Sequence, residues 1–169
     1  MTRWLQGSIL TLCLLCTLPC CAAKKRMHRS EVAPQVISSA QALSINWESY
    51  TAAVNKAKDD GKPIGLFFTG SNWCIWCMKM HEQILSDPTF VKFANANLHL
   101  VDIDFPQPNN LPQEIKEQNQ RLKSKYGVSG FPTLVFINSS GKELARMGFE
   151  YGGGINYVEK VKTSLNMKD

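Results

Sequence analysis

The chain has 169 residues, 44% hydrophobic and 20% charged, with a formal net charge of +5. That length is a prior for one domain, and that balance excludes a disordered chain and a multi-span membrane protein. The basic residues are scattered apart from Lys24-Lys25-Arg26, and no nucleic-acid-binding motif accompanies them, so nucleic acid is not an expected partner.

In chain order, Arg3 supplies a short positive region and residues 5–18 an apolar run of signal-peptide length, too short to span a bilayer comfortably. Small residues follow at Cys20, Cys21, Ala22 and Ala23. Residues 1–23 therefore read as a signal peptide cleaved after Ala23, or nearly as well after Ala22. An uncleaved signal anchor is one alternative. A lipid anchor at Cys20 or Cys21 is another: Leu18 stands three residues before Cys21, although Pro19 and Cys20 fill positions where lipoprotein signals prefer small residues. The expected location is the periplasm. Residues 24–42 read as a polar arm or linker, and residues 43–169 as the folded domain.

Within that domain, Trp47, Tyr50, Val54 and Ala57 recur at helical spacing and predict a helix over 45–58, ended by Asp59-Asp60-Gly61-Lys62-Pro63. Residues 64–68 are an apolar run that predicts a buried strand. Thr69-Gly70-Ser71-Asn72 then forms a loop able to cap a helix from near Cys74 to about Leu85. A short helix is expected over 89–95, a strand over 98–105, a proline- and asparagine-rich loop over 106–112, and a charged helix over 114–126. A strand over 133–138, a turn at Ser139-Ser140-Gly141-Lys142 and a returning strand over 143–147 make a hairpin. A loop with four glycines over 148–154 precedes a closing amphipathic helix over 155–165. Strands separated by helices imply parallel pairing, and the final pair is antiparallel. The fold class is α/β: a mixed central sheet with helices on both faces.

The cysteines sharpen the functional reading. Four of six, Cys13, Cys16, Cys20 and Cys21, lie in the signal region, which leaves Cys74 and Cys77 as the mature chain's only pair. A bridge between them closes so short a loop that it restrains the unfolded chain little, so the pair reads as chemical rather than structural. A cysteine at a helix start faces unpaired N–H groups that stabilise a thiolate and lower its pKa below the ~8.5 of a free thiol. Cys74 holds that position and reads as the nucleophile. Cys77, one turn on, is placed to attack a mixed disulfide at Cys74 and release the reduced substrate. The rival reading is a metal site of Cys74, Cys77 and His81. Haem attachment would need His after Cys77, where Met78 stands.

Trp73-Cys74-Ile75-Trp76-Cys77 after a buried strand resembles the W-C-x-x-C site of the thioredoxin family. Tyr126-Gly127-Val128-Ser129-Gly130-Phe131-Pro132-Thr133-Leu134 resembles its Y-G-V-x-x-x-P-T-L segment, and Gly141-Lys142 matches the turn of its last hairpin. The matches run in family order over about residues 45–165. Within the family, Lys62-Pro63-Ile64 and Thr69 to Cys74 are most similar to the exported, DsbH-type periplasmic reductases. The resemblance implies a thioredoxin fold with Pro132 in cis. It also implies a substrate groove at Phe131-Pro132, where Phe131 offers its N–H and C=O to an extended segment. Trp73 and Trp76 are the expected apolar rim.

Two departures stand out. The family's buried acid, six residues before the first cysteine, is replaced by Phe68, and its lysine partner by a residue near Leu100. Asp102, Glu82 or a water are the candidate proton acceptors for Cys77. The stretch 105–123 is longer than in a minimal thioredoxin, a feature that either shapes partner choice or decorates the fold.

Ile75-Trp76 brings no charge to the sulfurs, which favours a reductase of protein disulfides over an oxidase or isomerase. No nucleotide-binding glycine motif is present, so no NADPH, flavin or other cofactor is expected on the chain. By the resemblance, electrons come from a membrane-embedded thiol donor of the DsbD kind, and the substrates are disulfide-containing exported proteins. The arm over 24–42 is too short to be a dimerisation module by itself, so a monomer is expected.

Overall fold

A computed structural model describes residues 43–167. The signal peptide, the lipidation sites and the arm lie outside the described residues. The first element, α1 (Tyr50–Asp60), begins later than periodicity predicts. Ser49 ends the preceding extended stretch by accepting the Ala52 N–H at 3.2 Å. Trp47 is therefore not helical but forms a parallel bridge with Leu100. Gly61 closes α1 in the left-handed conformation (φ 73°), and its N–H returns to the Ala57 carbonyl at 3.1 Å.

Strand β1 (Ile64–Thr69) is buried along its whole length, as its unbroken apolar run requires. Next come α2 (Ile75–Met80) and a π-helical turn (His81–Leu85), where a single α-helix is expected from sequence. Asp87 caps α3 (Pro88–Asn97) by accepting the Thr89 N–H at 2.8 Å. Strand β2 (His99–Asp104), α4 (Gln113–Lys125), the hairpin of β3 (Thr133–Ile137) and β4 (Glu143–Met147), and α5 (Gly153–Ser164) complete the fold.

The sheet order is β2-β1-β3-β4. β1 and β2 are parallel, and β3 and β4 antiparallel, as expected. The β1–β3 pair corrects the sequence reading: it is antiparallel, with Phe68 opposite Thr133 and Ile64 opposite Ile137. After α4 the chain re-enters the sheet at the end where β1 leaves it, and hydrophobic pattern carries no information on direction.

Two apolar layers cover the two faces. Phe67, Leu100, Leu134 and Phe136 pack with residues of α2, the π turn, α3 and α5. Ile64, Leu66, Phe68, Val101 and Ile103 pack with α1 and α4.

Candidate active site

The loop between β1 and α2 sets the cysteines. Its turn closes when the Cys74 N–H donates to the Gly70 carbonyl at 2.9 Å. Cys74 keeps an extended backbone (φ −87°, ψ 104°) and caps α2, and its sulfur accepts the Cys77 N–H at 3.2 Å. Cys74 and Cys77 are joined as a disulfide, with Cα atoms 5.2 Å apart. Both are buried, but unequally: Cys74 is 7% exposed and Cys77 2%. The sulfur nearer the surface is the one at the helix start.

Three consecutive residues before Cys74 are strapped to the end of β2 and the segment that follows it. Ser71 donates its backbone N–H and its hydroxyl to the Asp104 carboxylate at 2.9 and 2.6 Å. Asn72 donates its side-chain amide to the Gln107 carbonyl at 2.8 Å and accepts the Gln107 N–H at 3.0 Å. Trp73 donates its indole N–H to the Phe105 carbonyl at 2.7 Å. The start of the long 105–123 stretch thus holds the cysteine loop in place.

The Phe131–Pro132 bond is cis, as the resemblance implies, and so is Gln107–Pro108, which sequence reading did not single out. Phe131 stacks on Phe105 (5.2 Å between centroids) and meets the edge of Trp73 (5.9 Å). Lys123 lies over both phenylalanine rings. On the other side of the cysteines Trp76 packs on Phe149 at 5.4 Å and Tyr151 at 6.5 Å. Trp76, Phe131, Pro132, Phe149 and Tyr151 line an open groove of about 390 Å³. Phe149 and Tyr151 escaped the sequence reading because they sit in the glycine-rich stretch read only as a loop. Their aromatic spacing was the available signal.

Behind Cys77 is a second cavity of about 370 Å³, lined by Trp47, Phe67, Thr69, Ser71, Cys77, Met78, His81, Glu82 and Asp102. Here counting along the sequence misleads. Phe68, six residues before Cys74, points to the opposite face of the sheet, among the α1 and α4 residues. Phe67 and Thr69 are the β1 residues that line the cavity with Cys77, and the partner of Phe67 across the strands is Asp102, not Leu100, which pairs with Gly65. Asp102 keeps solvent access at the cavity mouth. Protein on its other sides removes enough water to push its carboxyl up to about 6, and the charge of Asp104 adds to the shift.

His81 lines the same cavity, with its Nδ1 3.3 Å from the Ser86 hydroxyl. Among the described residues no group of three or more His, Cys, Asp or Glu is arranged to hold a metal ion.

Comparison with known proteins agrees with this geometry. Residues 50–150 match the model of the thioredoxin-like domain. The chain is 52% identical over 168 residues to "Disulfide bond reductase DsbH" of Chlamydia pneumoniae, covering 99% of this chain and 100% of that protein. It is 31% identical over 106 residues to "Thiol:disulfide interchange protein DsbD 1" of Pseudomonas aeruginosa, covering 57% of this chain but 16% of that protein. A solved structure titled "DsbH Oxidoreductase" superposes with a TM-score of 0.73 at 56% identity, over 74% of this chain and 87% of that one. With a buried C-x-x-C pair, a cis-proline before β3 and the matches above, the chain belongs to the thioredoxin-like family.

Proposed function

We propose that this protein is an exported thiol-disulfide oxidoreductase that reduces protein disulfides. The observation that carries the reading is the Cys74–Cys77 pair itself: Cys74 the more exposed at the start of α2, Cys77 the more buried, with the neighbouring Trp73 and Trp76 meeting Phe131 and the cis-proline groove. The near full-length similarity to a protein described as a disulfide bond reductase supports the direction. Ile75 and Trp76 add no charge that would favour the reduced thiolate, which leaves the disulfide form comparatively stable and the dithiol a good reductant.

In the forward reaction the Cys74 thiolate attacks one sulfur of the substrate disulfide. A mixed disulfide forms and the substrate's first thiolate leaves. Cys77 then loses its proton and attacks the Cys74 sulfur, closing the Cys74–Cys77 bond and expelling the second thiolate. Two electrons pass from the dithiol to the substrate, so the oxidised pair needs a thiol donor to return to work. A membrane donor of the DsbD kind fits that need, and similarity to part of a DsbD protein supports that reading. The groove of Trp76, Phe131, Pro132, Phe149 and Tyr151 accepts an extended segment of the substrate, paired to the backbone of Phe131. Trp73 buttresses that groove from beside Phe131. The protein works in the periplasm as a monomer, either freed by cleavage after Ala23 or held by lipid at Cys20 or Cys21.

The equilibrium potential of the Cys74–Cys77 couple against glutathione tests the direction. A value near the ~−270 mV of thioredoxin, together with reduction of insulin disulfides, is expected; a value near the ~−120 mV of DsbA makes the protein an oxidant instead. Cys74→Ser abolishes reduction, and Cys77→Ser accumulates a mixed disulfide visible by mass spectrometry. Insulin left unreduced by the wild-type dithiol overturns the proposal.

A further inference from the structure

Resolution of the mixed disulfide requires Cys77, 2% exposed, to lose a proton. The family's acid is absent from β1, where Phe67 lines the cavity with the thiol. The cavity that Phe67 lines contains two carboxylates, Asp102 and Glu82, with His81 beside them and no lysine or arginine. Asp104, on the same strand as Asp102, is occupied by Ser71. Glu82 and His81 lie on the outer side of the π turn, exposed as Asp102 itself is, and the His81 ring is engaged by Ser86. Asp102 projects from β2, directly across from Phe67, into the space behind the sulfur. That space has room for several waters at ~30 Å³ each, and Thr69, Ser71 and Asp102 supply the polar partners that ordered water needs.

We propose that Asp102 is the proton acceptor for Cys77, working through water in this cavity, so that the acid of the exchange site has moved from β1 to the neighbouring strand. The proposal rests on the thiol-exchange reading. In the step, the Cys77 Sγ–H proton passes by way of water to the Asp102 carboxylate as sulfur attacks Cys74. The protonated acid then returns the proton to the departing substrate thiolate or to solvent. Its carboxyl, pushed up to about 6, is a stronger base than an ordinary aspartate yet still ionised at neutral pH. As a positioning residue acting through water, it governs the second half of the exchange and not the first.

Ellman's disulfide separates the halves, because attack by Cys74 releases one coloured thiolate and attack by Cys77 the other. The test follows both releases by stopped flow on the full chain between about pH 5 and pH 9. In Asp102→Asn the second release slows roughly 10- to 100-fold at neutral pH while the first is unchanged. The inflection below neutral pH disappears from the second step, and Asp102→Glu restores part of the rate. Glu82→Gln leaves both steps as in wild type. The proposal is overturned if Asp102→Asn keeps the wild-type second step, if both steps slow together, or if Glu82→Gln alone slows the second. Should Asp102→Asn not fold, the wild-type profile decides: a second step with no ionisation below that of the thiol overturns the proposal. A wild-type dithiol that releases neither thiolate refutes the exchange reading itself, which distinguishes the two failures.

Discussion

Trp73 and Phe105, 32 residues apart in sequence, are joined by an indole-to-carbonyl hydrogen bond of 2.7 Å. The bond runs from the residue before Cys74 to the residue stacked on Phe131, and so ties the cysteine loop to the cis-proline loop. Trp73→Phe keeps a ring but loses the donor. It lowers stability by about 1 kcal/mol in denaturant unfolding, and amide exchange at residues 105–107 becomes faster. Gly70→Ala does more, because its new Cβ would stand 2.4 to 2.7 Å from three indole atoms of Trp73. The ring must leave its place at a cost of roughly 1–3 kcal/mol.

Asp102 carries a stability penalty whose sign is opposite to that of a paired carboxylate. Its folded pKa, about 6, lies above the ordinary aspartate value of 3.8. The folded state therefore holds the proton more tightly, and stability is lost as pH rises from the unfolded value through the folded one. Asp102→Asn removes that loss. Solvent at the cavity mouth screens the effect, so the expected rise in Tm at neutral pH is roughly 3 °C, fading below about pH 4. Thermal unfolding at the two pH values checks it.

The opposite sign belongs to Glu48. Burial raises its carboxyl, but hydrogen bonds and charge from His99 and Lys56 outweigh that and bring it below the ordinary value. His99 is 6% exposed, with Nδ1 2.9 Å from Glu48 and Nε2 3.1 Å from Asp60, so it clamps the segment before α1 to the end of that helix. Because the folded pKa is depressed, the stabilisation is complete above the usual carboxylate range and is lost as pH falls through the folded value. His99→Gln costs roughly 2 kcal/mol at neutral pH and flattens the acid side of the stability profile. Urea melts at a series of pH values provide the measurement.

Tyr151 is 74% exposed and rests on Trp76 and Phe149 beside the disulfide. Tyr151→Ser removes apolar wall from the groove and little from the core. Stability stays within about 0.5 kcal/mol. KM for a disulfide-bonded peptide rises several-fold, while the rate with a small disulfide is unchanged. Equal losses with both substrates would deny the groove a part in binding.

Sequence made some of these features legible and hid others for physical reasons. The cysteine helix start and the Pro132 segment are local, and their residue types announce them. The direction of β3 is not local: Thr133 to Ile137 is equally apolar whichever end meets β1. Trp47 fits a helical stripe, but Ser49 stops the helix and the Leu100 backbone takes Trp47 as a bridge partner. Counting back six residues from Cys74 points to Phe68. The loop between strand and cysteines determines which of two adjacent phenylalanines lines the cavity with the thiol, and it is Phe67.

The π turn after α2 has a consequence for how this molecule tolerates change. Its wide hydrogen bond, from the Ser86 N–H to the His81 carbonyl at 2.9 Å, lets His81, Glu82 and Gln83 bulge outward while Met80 before it and Ile84 and Leu85 after it stay in the core. A straight α-helix would lock the rotation of the cysteine segment to that of its core anchors at a fixed angle per residue. The wide turn loosens that gearing. Met80 still gears Cys77 to the core within α2, but Ile84 and Leu85 can repack beyond the bulge with less turning of Cys77, and changes at His81 and Glu82 alter the cavity rim without replacing a buried side chain.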